Sequence, residues 1–121
     1  MENEDFLADV MSADGFVAAG LLTVKLHITK AELARASGLS RDAVSKSKRI
    51  KTRATQSRMR DMVEIINRIL PWAGSVGQAF AWYRSQPLPS FGGRTSEDML
   101  KEGRAEALKS HLSRIAAGGY V

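Results

Sequence analysis

Residues 40–60 carry Arg41, Lys46, Lys48, Arg49, Lys51, Arg53, Arg58 and Arg60, eight cations against the single carboxylate of Asp42. The chemistry open to such a block is neutralisation of phosphate. Each cation that meets a nucleic-acid phosphate releases condensed counterions, whereas a merely solvated face would mix the two signs. No other group of side chains has the types and spacing for chemistry. Cysteine is absent, which excludes a disulfide framework and a thiolate metal site. His27 and His111 lie far apart and read as a helix end and a solvated helix face. Glu97, Asp98, Glu102 and Glu106 read as solvated or capping carboxylates. No nucleophile stands near a base and no glycine loop could cradle a phosphate, so neither enzyme activity nor a cofactor or metal is expected.

The elements that must position the basic block begin just before it. In residues 29–49 Thr29 and Glu32 have capping-box spacing for a helix over 30–37. Leu33, Ala34 and Ala36 fall on its inner side, and Ala34 is small enough for a second helix to cross closely. Gly38 stands where the chain must turn, Leu39 plugs the core, and Ser40 caps a second helix over 41–47 with Ala43 and Val44 inward. Arg41, Asp42, Ser45 and Lys46 remain outside. This is the helix-turn-helix pattern, whose second helix lies in the DNA major groove. The same spacing fits an ordinary αα-hairpin with a polar face; the adjoining cations favour DNA. On this reading Arg41, Asp42, Ser45 and Lys46 face the groove, Ser40 meets a phosphate, and Lys48, Arg49, Lys51 and Arg53, in a loop over 48–54, bind the backbone. Arg58 and Arg60 are further candidates for phosphate, at the cost of opposing a helix dipole.

The net charge of +5 conceals an asymmetry. Residues 1–14 hold Glu2, Glu4, Asp5, Asp9 and Asp14 without a cation, and residues 61–121 are nearly neutral. The acidic start is wrong for a signal peptide, and no apolar run of roughly 18 residues exists to span a membrane, so a cytoplasmic protein is expected. Residues 1–11 are expected to form a short acidic helix that frays. A weak helix over 16–26 would bury Val17, Leu21, Leu22 and Leu26 to cover the hairpin, and is favoured over the rival of a short extended piece at Thr23–Ile28. Thr55 is expected to cap a helix over 56–70, with Met59, Met62, Val63, Ile66, Ile69 and Leu70 as its apolar stripe.

Composition changes at Pro71 and Gly74, which suggests three segments: residues 1–14, an N-terminal helical domain over 15–70, and a smaller one over 71–121. Ser75 caps a helix over 76–86 with Ala79, Phe80 and Tyr83 inward and Trp72 and Trp82 nearby. The prolines and glycines of residues 86–93 form a loop, Thr95 and Asp98 open a short helix, Gly103 ends it, and a last helix runs over 104–117. The fold class is therefore all-α.

The order Pro71-Trp72-Ala73-Gly74-Ser75, Ala79, Trp82-Tyr83, Pro87-Leu88-Pro89, Gly93-Arg94-Thr95, Glu97, and Gly103 through Leu112, Ile115 and Gly118 resembles the Xre/MbcA/ParS-like toxin-binding domain. The hairpin upstream resembles the Xre-type half of the same antitoxins. The resemblance implies a non-enzymatic antitoxin that covers the active site of a RES-domain toxin, which consumes NAD or transfers ADP-ribose. It also implies operator binding that represses the pair's own operon, and a homodimer within a toxin–antitoxin hetero-oligomer. Candidate toxin contacts are Arg94 beside the Gly92-Gly93 turn and the tail Gly118-Gly119-Tyr120-Val121 with its aromatic ring and terminal carboxylate. The alternative is a helix-turn-helix repressor whose C-terminal half only dimerises.

Overall fold

The computed structural model describes residues 2–118, with side chains from Phe6 onward. Every regular element among them is a helix, as the sequence led us to expect. They are α1 (Glu2–Asp9), α2 (Ala19–Leu26), α3 (Lys30–Ser37), α4 (Arg41–Ser45), α5 (Ser47–Ile50), α6 (Arg53–Ala73), α7 (Val76–Ser85), α8 (Ser96–Lys101) and α9 (Ala105–Ala116), with a single 3-10 turn at Pro89–Phe91. None is long and apolar enough to cross a membrane.

Helix α6 is the axis. Its apolar residues recur every three to four positions, so Met59, Met62, Val63, Ile66 and Ile69 form one fully buried stripe, with Leu70 at its end. Ile65, one residue aside from that stripe, is buried as well. Helices α1, α7 and α9 pack against α6. The helix starts earlier and ends later than expected. Thr52, not Thr55, accepts the capping N–H, and Thr55 is buried with its hydroxyl against that of Thr52. The sequence offers a threonine at both positions, and the extra turn is gained by capping at the first. At the other end the helix runs through Pro71 to Ala73. A proline so close to the C-terminus removes only one hydrogen bond, and Gly74, at φ +96, ends the helix with its N–H on the Leu70 carbonyl. The boundary expected after Leu70 thus falls inside a helix. One hydrophobic cluster includes residues on both sides of it, from Phe6 to Leu112.

The acidic N-terminal segment is built into this core. Phe6 and Val10 are buried, Asp9 pairs with Lys25 at 2.8 Å, and the chain turns back through a bridge between Met11 and Val17. In α2 the buried face is set by Ala19, Leu22 and Leu26. Leu21, expected inside, is 44% exposed because it lies about 100° around the helix from Leu22. His27 ends α2 in the left-handed conformation, a helix end as expected. The caps predicted at Thr29, Ser40, Ser75 and Thr95 all form, those at Thr29 and Thr95 as complete capping boxes. Trp72 and Trp82 meet edge to face at 5.5 Å between ring centres and pack on the core from its margin.

Candidate nucleic-acid interface

Helices α3 and α4 are joined by a turn that favours glycine. Gly38 has φ +72, and a Cβ there would lie 2.8 Å from an Arg58 guanidinium nitrogen and 2.9 Å from Lys101 Cγ. Leu33, Ala34 and Ala36 of α3 and Ala43 and Val44 of α4 are buried, so the inward faces are those read from the spacing. The outward residues Ser40, Arg41, Asp42, Ser45 and Lys46 are all exposed. Ser40 is occupied as a cap, its Oγ accepting the Ala43 N–H at 3.1 Å. Its O–H remains able to donate to an anion.

The stretch after Lys46 is not the expected loop. Helix α4 stops at Ser45 after five residues. Lys46 is extended, at φ −89 and ψ 128, and Ser47–Ile50 forms a further helical turn, α5. Lys48 and Arg49 therefore sit on a single helical turn rather than in a loop. Ile50 supplies the apolar anchor, half-buried on the core. Gln56, half-buried on α6, fixes the segment from below. Its amide nitrogen donates to the carbonyls of Ile50 (2.8 Å) and Val17 (3.0 Å), and its oxygen accepts the Val17 N–H (2.8 Å). This brace was not foreseen, because a glutamine in an amphipathic helix carries no sign of which distant backbone it will meet.

Five cations, Arg41, Lys46, Lys48, Arg49 and Arg53, stand exposed along α4, α5 and the start of α6. None forms an ion pair with another side chain among those described. Lys51 differs. Its ammonium is 3.2 Å from the Asp14 carboxylate and 5.5 Å from the centre of the Phe16 ring. Asp14 also accepts from the Ser12 hydroxyl, and these two partners hold its pKa below the usual carboxylate value. Arg58 is engaged within the fold. It is half-buried and donates to the Ser37 carbonyl at 2.9 Å. A cleft of about 350 Å³ between the loop over residues 12–18 and helices α4 and α5 adds Lys30 to the cationic surface, a residue that the one-dimensional charge count missed.

Of the C-terminal candidates, Arg94 and Gly118 lie among the described residues. Arg94 is exposed, but its guanidinium is paired with Glu102 at 2.9 Å. Gly118 ends the described chain at φ +110, and Gly119, Tyr120 and Val121 lie outside the described residues. Among the described residues no hydrogen bond joins Arg94 to Gly118.

Two groups expected in solvent are buried instead. Glu97 is 8% exposed because Arg84 grips it through both oxygens, at 2.6 and 3.3 Å, and Lys101 adds a third contact at 3.1 Å. His111 is buried with its ring edge-on to Phe91; burial, reinforced by Arg114, lowers its pKa. Lys109, also buried, bridges α9 to α6 by reaching Asp61 and Glu64, each at 2.7 Å, and Glu106 at 3.2 Å. Burial alone would favour loss of its proton, but the three carboxylates outweigh that and hold its pKa above the ordinary lysine value. No group of three or more His, Cys, Asp or Glu side chains among the described residues is arranged to hold a metal ion. No family model, curated protein or solved structure matches the chain.

Proposed function

We propose that the chain binds duplex DNA through α4, α5 and the first turn of α6, and that it is a cytoplasmic antitoxin repressing its own operon. The observation that carries the DNA reading is the exposed, predominantly cationic surface of Arg41, Lys46, Lys48, Arg49 and Arg53, with Asp42 as its one carboxylate, beside a capped helical hairpin. In this reading Arg41, Asp42, Ser45 and Lys46 meet base edges, the Ser40 hydroxyl donates to a phosphate, and Lys48, Arg49 and Arg53 bind the backbone. Lys51 joins them only by leaving Asp14. The antitoxin reading is supported by the order of motifs from Pro71 to Gly118 that resembles the toxin-binding domain. Its partner is a RES-domain toxin, met by Arg94, once freed from Glu102, and by residues 118–121. The chain acts as a homodimer within the complex.

A plain repressor is the second reading. It is favoured by the way the C-terminal helices complete the core around α3, with the buried Tyr83 hydroxyl donating to the Ala36 carbonyl at 2.5 Å. A half that is needed for folding does not also need a partner to account for it.

The test combines co-purification with the product of the adjacent gene, NAD consumption by that product with and without this chain, and titration of duplex from the operon's own upstream region against random duplex. A stable complex in which NAD loss stops, with preferential binding to the upstream duplex, is expected. No complex, an inert neighbour and retained duplex binding would leave the plain repressor. Equal and negligible binding to both duplexes would refute the DNA reading.

A further inference from the structure

The last carbonyls of an α-helix have no partner within it, so something else must satisfy them when they are buried. At the end of α3 the partners come from three directions. The Ala34 carbonyl accepts the N–H groups of Gly38 and Leu39, the local part of the turn. The Ala36 carbonyl accepts from the hydroxyl of Tyr83 on α7, and the Ser37 carbonyl from Arg58 on α6. Tyr83 and Arg58 lie 47 and 21 residues away in sequence. Tyr83 is fully buried, and its ring stacks on Phe80 with 6.0 Å between centres. Its hydroxyl has no water to fall back on. Arg58 and Lys101 also close around Gly38, and Lys101 is held by the same Glu97 that Arg84 grips.

These contacts meet at the turn that aims α4. A carbonyl that loses a buried donor is left unsatisfied, and the nearest relief is for the end of α3 to open toward water. Helix α4 has only five residues and is attached to α3 through residues 38–40, so its direction follows that of the turn.

We infer that Tyr83 and Arg58 are positioning residues for the basic hairpin: by donating to the Ala36 and Ser37 carbonyls they let α7 and α6 set the direction in which α4 presents its cations. The consequence for affinity rests on the duplex-binding reading above; the positioning itself does not.

The test uses the full chain. Tyr83→Phe keeps the ring and removes only the donor; Arg58→Ala removes the second donor and Arg58→Lys retains one. Leu112→Ala, in the core on α9, serves as a destabilised reference. Backbone amide resonances of residues 38–41 are compared among the variants, and duplex affinity is measured well below every melting temperature. Tyr83→Phe and Arg58→Ala are expected to move those resonances, with Arg58→Lys returning toward wild type. Loss of one hydrogen bond should weaken duplex binding roughly fivefold to tenfold with an unchanged salt slope. Resonance shifts at residues 38–41 no larger than those caused by Leu112→Ala would overturn the inference. A wild-type chain that binds no duplex removes the DNA reading, and the resonances alone then decide the positioning.

Discussion

Replacing Arg49 by alanine tests whether the basic surface meets phosphate. Arg49 is exposed in the last turn of α5, away from the core, so the substitution leaves the fold intact. Among the four proposed backbone contacts, Lys48, Arg49 and Arg53 each release counterions on meeting phosphate. Lys51 contributes little of this, because it already faces the Asp14 carboxylate at 3.2 Å. For each bound protomer, three contacts at about 0.9 each give a slope of log affinity against log salt of about −2.7. Raising salt fourfold, from roughly 50 to 200 mM, then weakens binding about fortyfold. Arg49→Ala leaves two contacts, a slope of about −1.8 and a loss of only about twelvefold over the same range. Fluorescence anisotropy of a labelled duplex over a salt series measures both slopes. Upstream and random duplexes should show the same change, because a phosphate contact carries no base preference. An Arg49→Ala slope equal to that of the wild type would refute the reasoning and mean that Arg49 does not meet phosphate.

Asp14→Asn frees Lys51 from its carboxylate and should steepen the same slope by up to about 0.9 while tightening binding at low salt; an unchanged slope would show that Lys51 stays away from the duplex. Lys109→Met leaves Asp61, Glu64 and Glu106 facing one another across α6 and α9. It should cost roughly 3 kcal/mol in urea unfolding, the low end for breaking a buried ion pair because the carboxylates keep access to water. Burial raises the pKa of Tyr83 well above its usual value, reinforced by the nearby Glu97 charge. An unfolded phenol loses its proton near pH 10 and the folded one keeps it, so this group's contribution is intact below about pH 10 and is lost as pH rises further. Melting temperatures between about pH 9 and 11 should fall more steeply for the wild type than for Tyr83→Phe, and parallel curves would contradict the assignment.

Local chemistry was legible wherever the partner lies within a few residues. Thr29, Ser40, Ser75 and Thr95 were readable as caps because each needs only the N–H three positions on, and the stripe of α6 because helical periodicity alone decides which side chains share a face. Gly38 was readable as a turn for the same reason. The single-turn helix α5 was missed because its residues are polar and basic around one isoleucine; what holds it is Gln56, a brace from another element. Phe6 and Val10 were assigned to a fraying end because an acidic composition hides two well-placed apolar residues whose partners lie on α6.

The concentration of positive charge was set by the sequence alone: eight cations against one carboxylate in residues 40–60 repel one another and favour solvent over burial unless a partner receives them. Which of them remain available was decided by tertiary structure. Arg58 is turned inward to a carbonyl of α3, Lys51 is held by Asp14, and Lys30 joins across a cleft. Tertiary structure also buried Glu97 and His111, since a charged or titratable side chain leaves water only where a distant partner or ring receives it. The continuity of α6 through Pro71 was decided in the same way. A proline in a sequence marks a break, but one lost hydrogen bond in a last turn is outweighed by the core that α7 and α9 build around that helix.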